Sequence, residues 1–406
     1  MSTFARLAAM VAAAVATVAA STAVPAAVLA QQAPAQPASL AAPAAATHGA
    51  AGNVRMNQIQ FMGAHNAYHR EMQGVELAES LKIDPGYPTW GFYSHASIAD
   101  LLGRQNVRAL EFDLLPDPDG GLYQHPLARK QAGLGPIDDP AMAAPGMKVL
   151  HVADQDYNST CRTFVACMQQ VRTWSRANRG HVPIIMQLEL KQTDDRWEKL
   201  GGAVSPAWDP ALLDGIDREI RSVFAESDLI TADDLRRPGL TLERSILKNG
   251  WPTLDWARGK VLFFFDNGGP GAIRDMYVAG RPNLEGRAVF TRGNPGDPDA
   301  AITMVNDPRG ENAAAIRDLV QRGYIVRTRS DEPLKTVINE EFSRVEISLS
   351  SGAQLVSTDF PTVGMAARYD SDFVAELPGG RAVRCNPVSA PRSCHDDKLE
   401  PKRSSH

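Results

Sequence analysis

Short apolar runs rich in β-branched and aromatic residues recur along this chain, and helix-patterned stretches separate several of them. The runs cover 59–62, 107–115, 148–152, 183–190, 261–265, 288–291, 302–305, 324–328 and 354–357. Between them, 97–105, 163–177, 212–224 and 312–322 carry apolar residues at helical spacing, with Phe164, Met168, Val171 and Trp174 on one face. Strands that alternate with helices build a parallel sheet, because each crossover returns the chain to the same end. About eight such units in one domain predict an α/β fold, a (β/α)8 TIM-type barrel, regular or distorted. An open doubly wound sheet is the competing arrangement. Glycine placement separates the two, since a dinucleotide-binding sheet needs GxGxxG after its first strand. The first run here ends in Gly63-Ala64-His65-Asn66, and no Walker A sequence occurs. Phosphate would have to be handled by side chains and metal.

The 406 residues are 44% hydrophobic, enough for one large core. The net charge of −5 gives no basic surplus for nucleic acid and no polybasic run for anionic lipid. Residues 1–30 read as a signal peptide: Arg6, an Ala/Val-rich stretch over 7–20, and small residues at Val28-Leu29-Ala30. Ser21, Thr22 and Pro25 interrupt it and count against an uncleaved anchor. The Ala/Pro/Gln-rich segment 31–53 reads as a linker, 54–380 as the barrel domain and 381–406 as a C-terminal tail. A chain exported to the periplasm or the medium meets oxidising conditions, so the local pairs Cys161–Cys167 and Cys385–Cys394 are expected as disulfides rather than free buried thiols.

Polar residues at strand ends suggest the chemistry. In Ala109-Leu110-Glu111-Phe112-Asp113-Leu114 the two carboxylates lie two apart and project to one face of a strand. Two adjacent anions need a cation or a shared proton; Arg104 and Arg108 are near enough in sequence to serve as purely structural partners. Gln187, Glu189 and Lys191 share a face in the same way. A third strand-like run, 148–152, carries His151, which by itself reads as a core histidine as readily as a catalytic one. Asn66, Glu111, Asp113 and Glu189 offer only oxygen donors, which suit Ca2+ or Mg2+ rather than zinc. With His65 and His151 as proton-transfer groups, the set fits cleavage of a phosphodiester.

In order along the chain, GAHNAYH, YSHASIADLL, VRALEFDLLPD, VLHVADQDYNSTCRTFVAC and PIIMQLELK resemble the calcium-dependent phosphatidylinositol-specific phospholipase C family in its secreted bacterial form. The similarity is densest over 57–191. It implies that His65 stabilises the phosphoryl transition state, that Asn66, Glu111, Asp113 and Glu189 hold Ca2+, and that His151 protonates the diacylglycerol oxygen. The inositol 2-hydroxyl would be the nucleophile and a metal-bound carboxylate, Glu111 or Asp113, the base. Lys191, Arg327 and Arg329 are candidates by position for substrate phosphate, with pairing to Asp331 or Glu332 as their structural alternative. His69 and His95 fall at recurrent family positions and are expected to support the pocket. Asp266 is expected in a cap or structural pair. The partner implied is phosphatidylinositol or a related phospholipid at a membrane surface, with no nucleic acid and no protein partner, and with the protein a monomer. Two other readings stand beside it. A glycerophosphodiester phosphodiesterase would share the barrel, but its His-Arg-Gly opening is missing. A non-catalytic exported binding barrel would have no need to keep both histidines and all four oxygen donors.

Overall fold

The computed structural model describes residues 54–400 apart from 268 and 270. The expected leader and linker lie outside the described residues. The strands are Ile59–Ala64 (β1), Ala109–Leu115 (β2), Lys148–Val149 (β3), Ile184–Leu190 (β4), Leu229–Ile230 (β5) and Val261–Phe265 (β6). They continue with Val289–Phe290 (β7), Ile302–Met304 (β8), Ile325–Arg329 (β9), Leu355–Thr358 (β10) and Arg384–Cys385 (β11). Parallel pairing runs β6–β4–β2–β1–β10–β9–β8, and β7 pairs with the other edge of β6. A single parallel bridge between Arg292 and Ile302 joins β7 to β8 and closes the ring. The fold is therefore an α/β barrel of the (β/α)8 type, with its weakest seam at β7–β8.

Every residue of β2 and β6 is buried. That follows from their composition: a strand covered on both faces reads as a continuous apolar run, as Val-Leu-Phe-Phe-Phe does in β6. The covering helices keep the expected faces. Phe164–Ala177 buries Phe164, Met168, Val171 and Trp174, and Thr163 caps it by accepting from the Ala166 amide. Asn312–Arg322 ends at Gly323, whose φ of 110° is a left-handed value that glycine adopts without strain.

Strand register carries side chains from distant segments to one level inside the barrel. Gly63 pairs with Ala109, and a Cβ on Gly63 would meet the Ala109 Cβ at 3.0 Å, so both positions face inward and a glycine is needed for the close approach. Glu111 and Asp113 follow Ala109 on the same face and pair with Gln187 and Glu189. On the other side of β1, Gly63 pairs with Ser357, and Arg327 and Arg329 pair with Leu355 and Ser357.

One expected strand is corrected. Of the run 148–152 only Lys148–Val149 is extended, and it pairs antiparallel with β2. His151 therefore stands on a bend between this short strand and the turn closed by a Val152–Asp156 bridge, not on a barrel strand. Both expected disulfides are present, Cys161–Cys167 and Cys385–Cys394. Beyond 380 the chain packs back on the barrel. β11 pairs with Ile59 and Gln60, and Glu400 accepts from the Arg108 guanidinium. No helix among the described residues is long and apolar enough to cross a membrane.

Candidate active site

The carboxyl ends of the parallel strands form one mouth, the face where barrels of this type carry their chemistry. Glu111, Asp113 and Glu189 bring a carboxylate oxygen each to within 4.8 Å of one another. Asn66 stands on the turn after β1, where its backbone takes a positive φ of 46°, a conformation asparagine tolerates better than most residues. The Ala67 amide donates to the Glu111 carbonyl, which locks this turn onto β2. Asn66 is buried; its amide donates to Tyr93 Oη at 3.2 Å, and its Oδ1 has no protein partner. Neither oxygen of Asp113 makes a hydrogen bond, although the residue is fully buried. Unpartnered buried oxygens are costly unless something else satisfies them. An all-oxygen set in which Asn66 Oδ1 and Asp113 Oδ1 have no partner and Asp113 Oδ2 has only an ammonium 3.3 Å away fits a hard cation, so the residues present suit Ca2+.

The cluster is short of positive charge. Arg327 donates to Glu111 Oε2 at 3.0 Å from across the barrel. Lys191 Nζ lies 2.9 Å from Glu189 Oε1 and 3.3 Å from Asp113 Oδ2. Even so, burial pushes the Glu111 carboxyl well above its ordinary range, against the pull of Arg327 and helped by Asp266, Asp113 and Glu189. Burial and Asp113 likewise raise Glu189 against the pull of Lys191. Burial opposes the charge on Lys191, but Asp113 and Glu189 outweigh it and hold the amine protonated. Asp266 accepts from Gln187 Nε2 at 2.9 Å, a structural pair beside the cluster. The nearby arginines suggested by sequence do other work. Arg104 pairs with Asp100 on the surface, and Arg108 with Glu400.

Two imidazoles reach the mouth, each pinned by a carboxylate. His65 Nδ1 donates to Asp359 Oδ1 at 2.7 Å, and Arg329 Nη2 donates to the other oxygen at 2.9 Å. His151 Nδ1 donates to Asp156 Oδ2 at 2.8 Å. Their side chains are 14% and 17% exposed, whereas that of His69 is 0% exposed, which separates the reachable histidines from the sealed one. His69 Nε2 shares Asp156 Oδ2 at 2.8 Å, and His95 Nε2 donates to the His65 carbonyl at 2.8 Å. His95 therefore braces the backbone at His65, and His69 braces the carboxylate that holds His151. Burial would raise the Asp156 carboxyl, but His69 and His151 hold it well below the usual range. Asp359 is held low in the same way by His65 and Arg329. Burial, then the Arg329 charge, lowers His65 to about 3 despite Asp359.

Asp156, Asp359 and the aromatic Trp90, whose ring centroid lies 5.2 Å from that of His151, were not singled out from the sequence. Asp359 had a signal: it directly follows the apolar run of β10, where a barrel strand opens onto the mouth. Arg327 and Arg329 do not pair with Asp331 or Glu332. Arg327 is committed to Glu111 and Asn306, and Arg329 to Asp359, with its Nη1 3.4 Å from His65 Nε2.

The family model described as "Phosphoinositide phospholipase C, Ca2+-dependent" matches residues 54–387. The chain belongs to this family. It is a phosphoric diester hydrolase of the phospholipase C type, and its cofactor is Ca2+. Among solved structures it is similar to a calcium-dependent phosphoinositol-specific phospholipase C from Pseudomonas sp, with 17% identity, 83% of this chain and 97% of that chain covered, and a TM-score of 0.49. A Ca2+-dependent phosphatidylinositol-specific phospholipase C from Streptomyces antibioticus gives 17% identity, 78% and 98% coverage, and a TM-score of 0.47. A glycerophosphoryl diester phosphodiesterase from Parabacteroides distasonis gives 12% identity, 81% and 92% coverage, and a TM-score of 0.29. No curated protein matches the chain.

Proposed function

We propose that this phospholipase C cleaves phosphatidylinositol at a membrane surface into diacylglycerol and an inositol cyclic phosphate. The observation that carries the reading is the presence of two kinds of group at one mouth: buried oxygens of Asn66 and Asp113 that make no hydrogen bond, and two reachable imidazoles each fixed by its own aspartate. Asn66, Glu111, Asp113 and Glu189 would hold the Ca2+, which supplies positive charge to the 2-hydroxyl and the phosphoryl oxygens.

The tautomer of His65 gives it a role. Its Nδ1 keeps a proton on ionised Asp359, so Nε2 of the neutral ring is bare, and Arg329 Nη1 points a donor at it from 3.4 Å. A carboxylate of the cluster, Glu111 or Asp113, takes the proton of the inositol 2-hydroxyl as that oxygen bonds to phosphorus, and His65 and Arg329 together face the phosphoryl oxygens. Burial and the neighbouring carboxylates raise the Glu111 carboxyl despite Arg327, which favours its taking a proton, whereas burial and Arg329 hold His65 at about 3. The phosphorus–oxygen bond to diacylglycerol breaks, and His151 Nε2, kept facing outward by the Nδ1–Asp156 bond, delivers the proton to that leaving oxygen. Arg329 is the side chain placed to bind a non-bridging phosphoryl oxygen.

The lipid surface is supported by what surrounds the mouth. Val75, Leu122, Leu200, Val204, Phe342 and Val363 are exposed, and all follow the carboxyl ends of barrel strands. Leu247 and Trp256 are exposed as well, but they precede strands, at the opposite end. The two disulfides support export to an oxidising compartment. The test is release of water-soluble inositol phosphate from phosphatidylinositol vesicles by wild type, His65→Ala and His151→Ala. Each substitution should lower the rate by at least about 100-fold. Unchanged rates would reject the mechanism, and preferential hydrolysis of glycerophosphodiesters would reject the substrate.

A further inference from the structure

We propose that Lys191 is a tethered cation that occupies the calcium site of the metal-free protein and must leave before Ca2+ can bind, so that it sets the affinity for the metal. The inference rests on the reading of Asn66, Glu111, Asp113 and Glu189 as the metal ligands.

The position follows from the strand. Lys191 comes two residues after Glu189, and its amide continues the ladder by donating to the Leu114 carbonyl, so its side chain projects to the same inner face. Its ammonium then stands 2.9 Å from Glu189 and 3.3 Å from Asp113, two of the oxygens a metal would need. Calcium bonds such oxygens at about 2.3–2.6 Å, so metal and ammonium cannot share them. Without Lys191, Arg327 is the one lysine or arginine among the described residues that pairs with the three carboxylates, and it reaches Glu111 alone.

The contact is built to be given up. Lys191 meets Asp113 Oδ2 only at 3.3 Å, a long contact, and Asp113 Oδ1 has no hydrogen-bond partner among the described residues. A metal offers those oxygens bonds that the ammonium does not make. The lysine side chain is 25% exposed and lines a cavity of about 180 Å3 with Trp90, His151 and Trp197. The flexible four-carbon stem can swing into that space and leave the ammonium solvated at the mouth.

The experiment is calorimetric titration of Ca2+ into the metal-stripped full chain, as wild type, Lys191→Met and Lys191→Gln, with thermal melts of each in chelator and in excess Ca2+. Both variants should bind Ca2+ at least about tenfold more tightly than wild type, a change of about 1.4 kcal/mol. In chelator they should melt lower than wild type, because the carboxylates have lost their counter-ion. Affinity unchanged within twofold, or weaker, in the two variants would overturn the proposal. Asp113→Asn separates this from the site reading itself. Loss of Ca2+ binding in that variant supports the ligand set, whereas full retention overturns both.

Discussion

Asp156 offers the most exposed test of the reaction geometry, because one carboxylate holds three groups. Its Oδ2 accepts from His69 and from His151, both at 2.8 Å, and its Oδ1 accepts from Tyr87 Oη at 2.9 Å. Asp156→Asn keeps the shape and removes the charge. If the amide oxygen stays towards the imidazoles, two charge-assisted bonds become neutral ones, at a cost of about 1 kcal/mol each. If the amide nitrogen turns that way instead, two N–H donors face it and His151 loses its fixed orientation. The imidazolium form of His151 also loses the anion that offsets its charge. A fall of about 100-fold in kcat/KM, or about 2.7 kcal/mol, is expected on phosphatidylinositol vesicles at saturating Ca2+. Calcium affinity measured by calorimetry should not change, since Asp156 touches no ligand of the carboxylate cluster. His69→Asn should lower the melting temperature but cost the rate far less, because Asp156 still holds His151. A kcat/KM within threefold of wild type for Asp156→Asn would refute the reasoning.

Three further outcomes follow from the structure. Glu219 accepts from the Met147 amide at 2.9 Å but is pushed up by burial to about 7, so the folded protein keeps a proton there that the unfolded chain releases near 4.5. That contribution is complete below pH 4.5 and is lost as pH rises through 7, up to about 3 kcal/mol. Glu219→Gln should therefore raise the urea midpoint at pH 8 and leave it unchanged at pH 5; an equal change at both pH values would sink the idea. Val204→Ser with Val363→Ser, at 60% and 73% exposure, should weaken sedimentation with phosphatidylinositol vesicles several-fold while thermal stability holds. Saturating Ca2+ at about 100 times its dissociation constant should stabilise the fold by about 2.7 kcal/mol, read as a higher melting temperature, and Asn66→Ala should reduce that gain.

The barrel was legible because its strands are buried on both faces and its helices are amphipathic. Val261–Phe265 and Asn312–Arg322 match their sequence patterns residue for residue. Two-residue strands such as Leu229–Ile230 and Arg384–Cys385 are too short to show a period, so no pattern announced them. The run 148–152 misled because apolar residues also line a buried turn, and periodicity cannot tell that turn from a strand. The Glu111–Asp113 pair was readable from the two-residue repeat alone. Its cationic partner was not: Arg327 lies 216 residues away and reaches Glu111 only because β9, β10, β1 and β2 lie side by side. The aspartates behind His65 and His151 were hidden for a related reason. Asp359 meets its histidine through the β1–β10 pairing, and Asp156 meets His151 through a turn that the strand-like run concealed.

The decisive measurement is the rate of water-soluble inositol phosphate release from phosphatidylinositol vesicles by the wild-type protein, in Ca2+ and in excess chelator, with activity restored by adding Ca2+ back. Release should require Ca2+, stop in chelator and return on re-addition, because Glu111, Asp113 and Glu189 bring their carboxylates together and, on the proposed reading, hold the metal with Asn66. Equal release with and without chelator would contradict it.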